Sequence, residues 1–527
     1  MKIEITKQFK EAINLFEKTN NFIFLTGKAG TGKSTLLSYF RSKTKKNIVV
    51  LAPTGVAAVN IQGETIHSFF KFAPTINLET AKSEAKDIRK KKNKHYKLTN
   101  TIETIIIDEI SMVRADLFDC IDQHLRIVRN NKTAFGGVQM ICIGDLYQLP
   151  PVAKYDEKKI LKQIYRSVYF FDSFVMQEII NLNRDKFTYI ELNKVFRQKD
   201  NDFITMLQHI RTRDINENDT LQIINKNLIS NPLQHIQNNQ KCIYLATVNQ
   251  TADEINRKQL DTLKTKPYEF EAYVSGNFTK ERFPTEETLI LKKGAKVMLL
   301  NNDRSGRWVN GTIGTIIDIR KNEDEIDVKL VDGKIHTVTP YTWEMFRTVY
   351  NEIEKKLDID TIGSFTQFPL RLSWAITIHK SQGKTFDEVV IDLGKSSFAE
   401  GQTYVALSRC KTLTGIYLTR PIKASDIRLN YTIVKFVTNI QYKIASDTLS
   451  LNDKVTMLKD AISNSRTLKI IYLKAKDERS ERDIKPYKVG KMKFAGNDFI
   501  GVSAFCKKSK ADRVFNVERI INIKEVL

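Results

Sequence analysis

Cysteine is scarce in this chain: five in 527 residues (Cys120, Cys142, Cys242, Cys410 and Cys506), with no C-x-x-C pair among them. That excludes a disulfide framework and a cysteine-zinc module, and it fits a reducing compartment. The seven histidines show no metal-ligand spacing. No apolar run approaches the roughly 20 residues of a membrane span, so no membrane partner is expected. The opening "MKIEITKQFKEAINLFEK" lacks the apolar centre of a signal peptide and places Glu11 and Glu17 in a helical pattern, unlike a transit peptide. A cytoplasmic protein is expected. Internal repeats and low-complexity tracts are absent as well.

Positive charge is abundant. Lysine and arginine number 84 against 61 aspartates and glutamates, a formal net charge of +23. A surplus of that size suits a surface made for phosphate backbones, because binding a polyanion releases condensed counterions. A generally basic proteome, in which lysine merely solvates helices, is the bland alternative. Hydrophobic residues at 41% and charged residues at 28% are those of a globular chain. Its length allows about three or four domains.

The apolar pattern alternates between strand and helix. Residues 8–18 read as an amphipathic helix with Phe9, Ala12, Ile13 and Phe16 on one face. Continuous apolar strands follow at 22–26, 48–51, 104–108 and 139–143, separated by helices, as in a parallel sheet covered on both faces. The basic stretch 82–100 looks like an inserted solvent-facing element. A second β/α region starts near 190 with a strand at 241–247 and resumes at 371–418. Between them, short alternating segments at 294–303, 310–319 and 325–338 with glycine turns suggest a small barrel. After about 445 come a helix and short strands, a separable module.

One motif carries chemistry outright. "GKAGTGKS" (27–34) satisfies G-x-x-x-x-G-K-[ST] between a strand and a helix. Gly27, Gly30 and Gly32 permit a tight loop whose N–H groups face phosphates. Lys33 reaches the terminal phosphates, and Ser34 is placed to hold Mg²⁺. "TIIIDEISM" (104–112) ends a strand in Asp108, the expected second metal holder, and in Glu109, the expected base for the attacking water. Gln148, in a turn stiffened by two prolines, is placed to sense the γ-phosphate. Arg197 and Arg409 are candidates for stabilising transition-state charge, although a single arginine in so basic a chain is usually a surface residue.

Taken with "APTGVAAVNIQGETIHSFF" (52–70), "FGGVQMICIGDLYQLPPV" (135–152), "VFRQKDNDF", "LATVNQTADEIN" (245–256), "FPLRLSWAITIHKSQGKTFDEVVIDL" (368–393) and "GQTYVALSRC" (401–410), these motifs resemble the Pif-one (petite integration frequency) DNA helicases of superfamily one, B branch. The resemblance runs from Gln8 to about Cys410. RecD-like helicases share the phosphate loop and "DEISM" but not the full set. A binding protein with a vestigial ATPase is the alternative of another class, and the intact charged set argues against it.

The resemblance implies an α/β protein with two RecA-like domains, at 1–190 and at 191–289 with 361–430. It implies a wedge insert at 71–100 and an SH3-like barrel at 290–360. ATP would be held by Gln8 (on adenine), Gly27, Gly30, Thr31, Gly32, Lys33, Ser34, Thr35 and Gly383, with Mg²⁺ on Ser34 and Asp108. Arg197 and Arg409 would reach in from the second domain. Thr54, Thr65, His67, Thr247, Asn249, Thr377, His379 and Ser381 would grip single-stranded DNA. Each of these taken alone is more often an ordinary turn or cap residue, and His67 and His379 are equally read as structural histidines. The expected activity is 5′→3′ translocation with unwinding of forked or tailed duplexes by a monomer, alongside single-strand-binding or replication and repair proteins.

Beyond a linker at 431–450, residues 451–527 resemble a WYL module, an Sm-like β-barrel, through "IIY", "RDIKPYKV", "FIGVSAFC" and "RVFNVERI". Tyr472, Arg482, Tyr487, Arg513 and Arg519 are its candidate nucleic-acid or effector contacts.

Overall fold

The computed structural model describes all residues except 1–3, 74–75, 154, 183–185, 216–219, 304, 352, 355, 398, 474–478, 495–496 and 526–527. The chain divides into two compact units, one of residues 1–210 with 215–428 and one of 211–214 with 429–527.

The first unit opens on helix α1 (Lys7–Lys18), started by the Thr6 side chain accepting the Phe9 N–H. Its apolar face buries Phe9, Ala12 and Phe16. Phe16 meets Phe40 of α2 (Lys33–Arg41) edge to face at 5.2 Å. Burying each such ring is worth about 1.5–3 kcal/mol. Strands β1 (Phe22–Gly27), β2 (Ile48–Ala52), β3 (Glu64–Thr65), β4 (Thr104–Ile107), β5 (Gln139–Ile143) and β6 (Phe187–Leu192) form one sheet in the order β3-β2-β4-β5-β1-β6, every pair parallel. β1, β4 and β5 are buried along their whole length, which is why they read as unbroken apolar runs. Because β6 pairs with β1 throughout, the boundary expected at 190 falls inside a strand of the first domain.

The 71–100 segment is helical. α3 (Gly55–Asn60) and α4 (Ile66–Phe70) precede it, and α5 (Leu78–Lys91) and α6 (Lys94–Thr101) fill it. α5 is not wholly solvent-facing: Ala81 and Ala85, one turn apart, let it pack closely on α7 (Ala115–Val128). Lys86, Arg89, Lys90 and Lys91 stay exposed on its outer side.

The second lobe is a parallel sheet of strands 375–377, 242–246, 388–391 and 416–418, in that order. The segment expected as a small barrel, 290–360, contributes strands to more than one sheet. Strands 296–299, 313–320, 325–330, 335–338 and 370–372 form one five-stranded antiparallel sheet. The long hairpin 341–351/356–367 leaves it and pairs instead with 273–276. The hairpin extends to the first lobe, where the Glu64 carboxylate accepts the Thr348 N–H at 2.5 Å.

In the second unit the residues expected to be a linker are a helix, Tyr431–Thr448, whose Ile433, Val434, Val437 and Ile440 are buried. Periodic apolar residues, not the flexible composition of a tether, fill it. A further helix (Leu451–Ser463) and five antiparallel strands follow, with the first (468–473) lying between the second (479–494) and the last (520–525). Among the described residues no helix is long and apolar enough to cross a membrane.

Candidate nucleotide and nucleic-acid site

The loop after β1 turns on glycines with left-handed backbones, Gly30 at φ +79° and Gly32 at φ +85°. Side chains other than glycine rarely adopt such angles. α2 then starts with Ser34 and Thr35 exposed in its first turn, where helix N–H groups lack intrahelical partners. Lys33 Nζ donates to the carbonyls of Gly27 (2.6 Å) and Lys28 (3.1 Å), so its ammonium lies over the loop. Thr31 is buried and donates to Lys28 O at 2.9 Å, bracing the loop from inside. Gln8 is fixed at both amide ends, donating to Glu191 O (2.8 Å) and accepting the Asn193 N–H (3.0 Å).

Asp108 and Glu109 follow β4. Asp108 is buried and accepts the Glu109 N–H at 3.0 Å. Glu109 itself sits at φ +52°. Burial raises both carboxyls. Glu109 goes up to about 7, with the Asp108 charge adding to the effect of burial and Lys33 and Arg409 opposing it. A carboxyl poised near neutrality is suited to taking a proton from water. In the turn after β5, Gln148 donates to the buried Asp145 carboxylate at 3.3 Å.

The two lobes meet over this loop. Arg197 lies between β6 and the helix Asn201–Thr212, whose Phe203, Met206, Leu207 and Ile210 pack with the second lobe's core. Its Nη1 donates to Ser408 O (3.1 Å) and its Nη2 to Gly383 O (3.4 Å). Arg409 comes from the second lobe, only 1% exposed. It donates to Val405 O at 2.9 Å and Ser408 Oγ at 2.8 Å. Burial, then the neighbouring Arg197 charge, lowers Arg409 to about 9. Tyr404 Oη accepts the Ala29 N–H of the phosphate loop at 3.0 Å.

A family model described as PIF1-like helicase matches residues 2–221, and a WYL-domain model matches 453–525. A Bdellovibrio bacteriovorus protein named ATP-dependent DNA helicase Pif1 is 30% identical over 79% of this chain and 88% of its own length. This chain belongs to the PIF1-like helicases. A Danio rerio relative, ATP-dependent DNA helicase PIF1, is 34% identical, and this chain spans 60% of its length. A crystal structure of Bacteroides sp Pif1 with ADP-AlF4 is 35% identical and covers 84% of this chain and 98% of its own, at a TM-score of 0.74. The same Bacteroides protein bound to ssDNA matches at 0.56.

The residues expected along a strand all lie at the carboxyl ends of the two parallel sheets, the usual ligand edge of such folds. Thr54 and Thr65 cap α3 and α4, accepting N–H bonds from Ala57 and Ser68. His67 is half-buried on α4, and burial lowers its pKa. Thr247 is partly exposed and Asn249 exposed, just past strand 242–246. Thr377 accepts the Lys380 N–H, and Ser381 is buried and donates to Ile378 O at 2.6 Å. Burial also lowers the His379 pKa.

In the second unit, Tyr487 and Arg513 are exposed while Arg519 is partly covered. Tyr472 is partly buried and packs edge to face on Phe515 at 5.2 Å, against the core of this unit. Arg482 turns toward Ser480 Oγ and Cys506 Sγ.

Sequence reasoning missed Gln382, Gln198, Tyr404 and Arg282. Gln198 Nε2 donates to Ser408 O and Cys410 O beside Arg409, and Arg282 Nη2 donates to Thr65 Oγ1 at 3.3 Å. Gln198, Tyr404 and Gln382 stand inside the quoted motifs, and Gln198 and Gln382 directly adjoin candidate residues. Arg282 stands in none, and only tertiary contact reveals it.

Proposed function

We propose that the protein is an ATP-dependent DNA helicase that moves 5′→3′ along single-stranded DNA and opens duplex ahead of it. The observation that carries this reading is the seam. The phosphate loop, the Asp108–Glu109 pair and Gln148 of one lobe meet Arg409 and Tyr404 of the other, and the strand-gripping candidates share the same sheet edges.

In this reading the loop N–H groups and Lys33 bind the triphosphate, Glu109 accepts the proton of the attacking water, and Arg197 and Arg409 offset charge developing on the transferred phosphoryl group. Ser34 and Asp108 offer the hard oxygen donors that Mg²⁺ prefers, and Asp108 is a buried carboxylate with few other partners to balance it. When bound there, the ion would neutralise phosphate charge. Closing and opening of the seam changes the spacing of Thr54, Thr65 and His67 against Thr247, Asn249, Thr377 and His379, and so moves the grip along the strand. Short polar groups suit that task, because they hold backbone without reading bases. The exposed basic face of α5 is assigned to the duplex at the fork, and Tyr487 and Arg513 of the WYL unit to a further nucleic-acid contact. The working form is a monomer.

ATP hydrolysis measured with and without oligo(dT) tests the reading. Strong stimulation by the oligonucleotide is expected, and a rate indifferent to DNA would overturn it.

A further inference from the structure

We propose that Gln382 is a positioning residue that ties the Glu109 carboxylate to the segment 377–381 and keeps hydrolysis slow until nucleic acid moves that segment. The proposal rests on the ATPase reading above. Segment 377–384 is a tight coil: Ser381 N–H donates to Thr377 O, Gln382 N–H to His379 O and Lys384 N–H to Ser381 O, at 3.0–3.1 Å. Ser381 Oγ closes on Ile378 O. A coil so bonded moves as one piece.

From its tip, Gln382 Nε2 crosses the seam and donates to Glu109 Oε2 at 3.1 Å and to Gln148 Oε1 at 3.4 Å. The coil's carbonyls hold both arginines as well. Ser381 O and Lys384 O accept from Arg409 Nη1, each at 3.4 Å, and Gly383 O accepts from Arg197 Nη2. One short piece of chain therefore carries Thr377, His379 and Ser381 at one end and touches the base, the γ-phosphate sensor candidate and both guanidinium groups at the other.

A carboxylate oxygen engaged by an amide donor is drawn toward the second lobe and has one lone pair fewer for water. A base must point at the proton that it takes, so this bond restrains catalysis while it lasts. A strand pulling on the coil displaces Gln382 and frees the carboxylate.

Steady-state ATPase kinetics of the full-length Gln382→Ala and Gln382→Met variants, each with and without oligo(dT), test the assignment. The methionine keeps the side chain's bulk and removes only its hydrogen bonds, so it carries the test if the alanine variant misfolds. Without DNA, kcat is expected to rise about tenfold, the factor that one hydrogen bond to a charged group is worth. KM for ATP and the DNA-saturated kcat stay near wild type, so the stimulation ratio collapses. DNA-free rates at or below wild type in a folded variant would overturn the assignment even though wild-type hydrolysis responds to DNA. A wild-type enzyme indifferent to DNA would overturn the underlying reading and this one with it.

Discussion

Gly30 lies against Arg197: a Cβ built on Gly30 would come within 2.5 Å of the Arg197 Cβ. The Phe196 N–H also donates to Gly30 O at 2.8 Å, so the phosphate loop and the arginine segment are fitted to each other directly. Gly30→Ala strains a left-handed residue and pushes Arg197 off its place at the seam. DNA-stimulated kcat is expected to fall by about 10²-fold or more, given the worth of such an arginine. A rate within a few-fold of wild type would show that the contact is incidental.

Arg409 allows a second test. Its guanidinium is buried among carbonyl and hydroxyl acceptors, with Val405 O, Ser408 Oγ, Ser381 O and Lys384 O in reach. Lysine keeps the charge but lacks the planar fork that serves several acceptors at once. Arg409→Lys is expected to lose kcat nearly as far as Arg409→Ala, about 10³-fold, while binding of a fluorescent ATP analogue changes little. Near-normal turnover of the lysine variant would contradict the fork argument.

Glu109→Gln removes the proton acceptor and keeps the shape. Hydrolysis is expected to stop while ATP and single-stranded DNA stay bound together, read by filter retention of both labels. Wild-type turnover would remove Glu109 from the mechanism.

Folding stability is expected to depend on pH through two histidines away from the seam. His95 and His124 stand 5.6 Å apart beside Phe69, Phe70 and Phe72, and both His124 nitrogens and His95 Nε2 are buried without hydrogen-bond partners among the described residues. Burial, before any charge effect, lowers His95 to about 4 and His124 to about 3. The folded protein therefore holds both neutral while the unfolded chain protonates near pH 6.5. Stability is full above that pH and drains as pH falls toward the folded values. Each histidine contributes a loss of up to about 1.4 kcal/mol per pH unit in that window. His124→Phe is expected to lose less melting temperature than wild type between pH 7 and pH 5. An equal loss would contradict the assignment.

Much of this was legible before folding because the nucleotide chemistry is local. Gly27 to Ser34 and Asp108–Glu109 each follow a buried strand, and a strand's continuous apolar run identifies itself. The misplaced pieces depend on distant pairing. Whether β6 joins the first sheet is decided by Phe22 facing Phe187 across 165 residues of chain, and nothing local to 187–192 signals it. The hairpin 341–367 alternates like any barrel strand, and only its partner at 273–276 sets it apart. The helix 431–448 is hard to read locally because its buried stripe of Ile433, Val434, Val437 and Ile440 also takes in the polar Thr438 and Gln441. Gln382 went unnoticed for another reason: an uncharged amide signals no chemistry until its partner across the seam is seen.

The most direct test of the motor is ATP-dependent strand separation of duplexes carrying a single-stranded tail on one 5′ or one 3′ end. The expected result is unwinding of the 5′-tailed duplex, dependent on Lys33 and Glu109, and little of the 3′-tailed or blunt one. Equal unwinding of both tails, or hydrolysis stimulated by DNA with no strand separation on either, would contradict it.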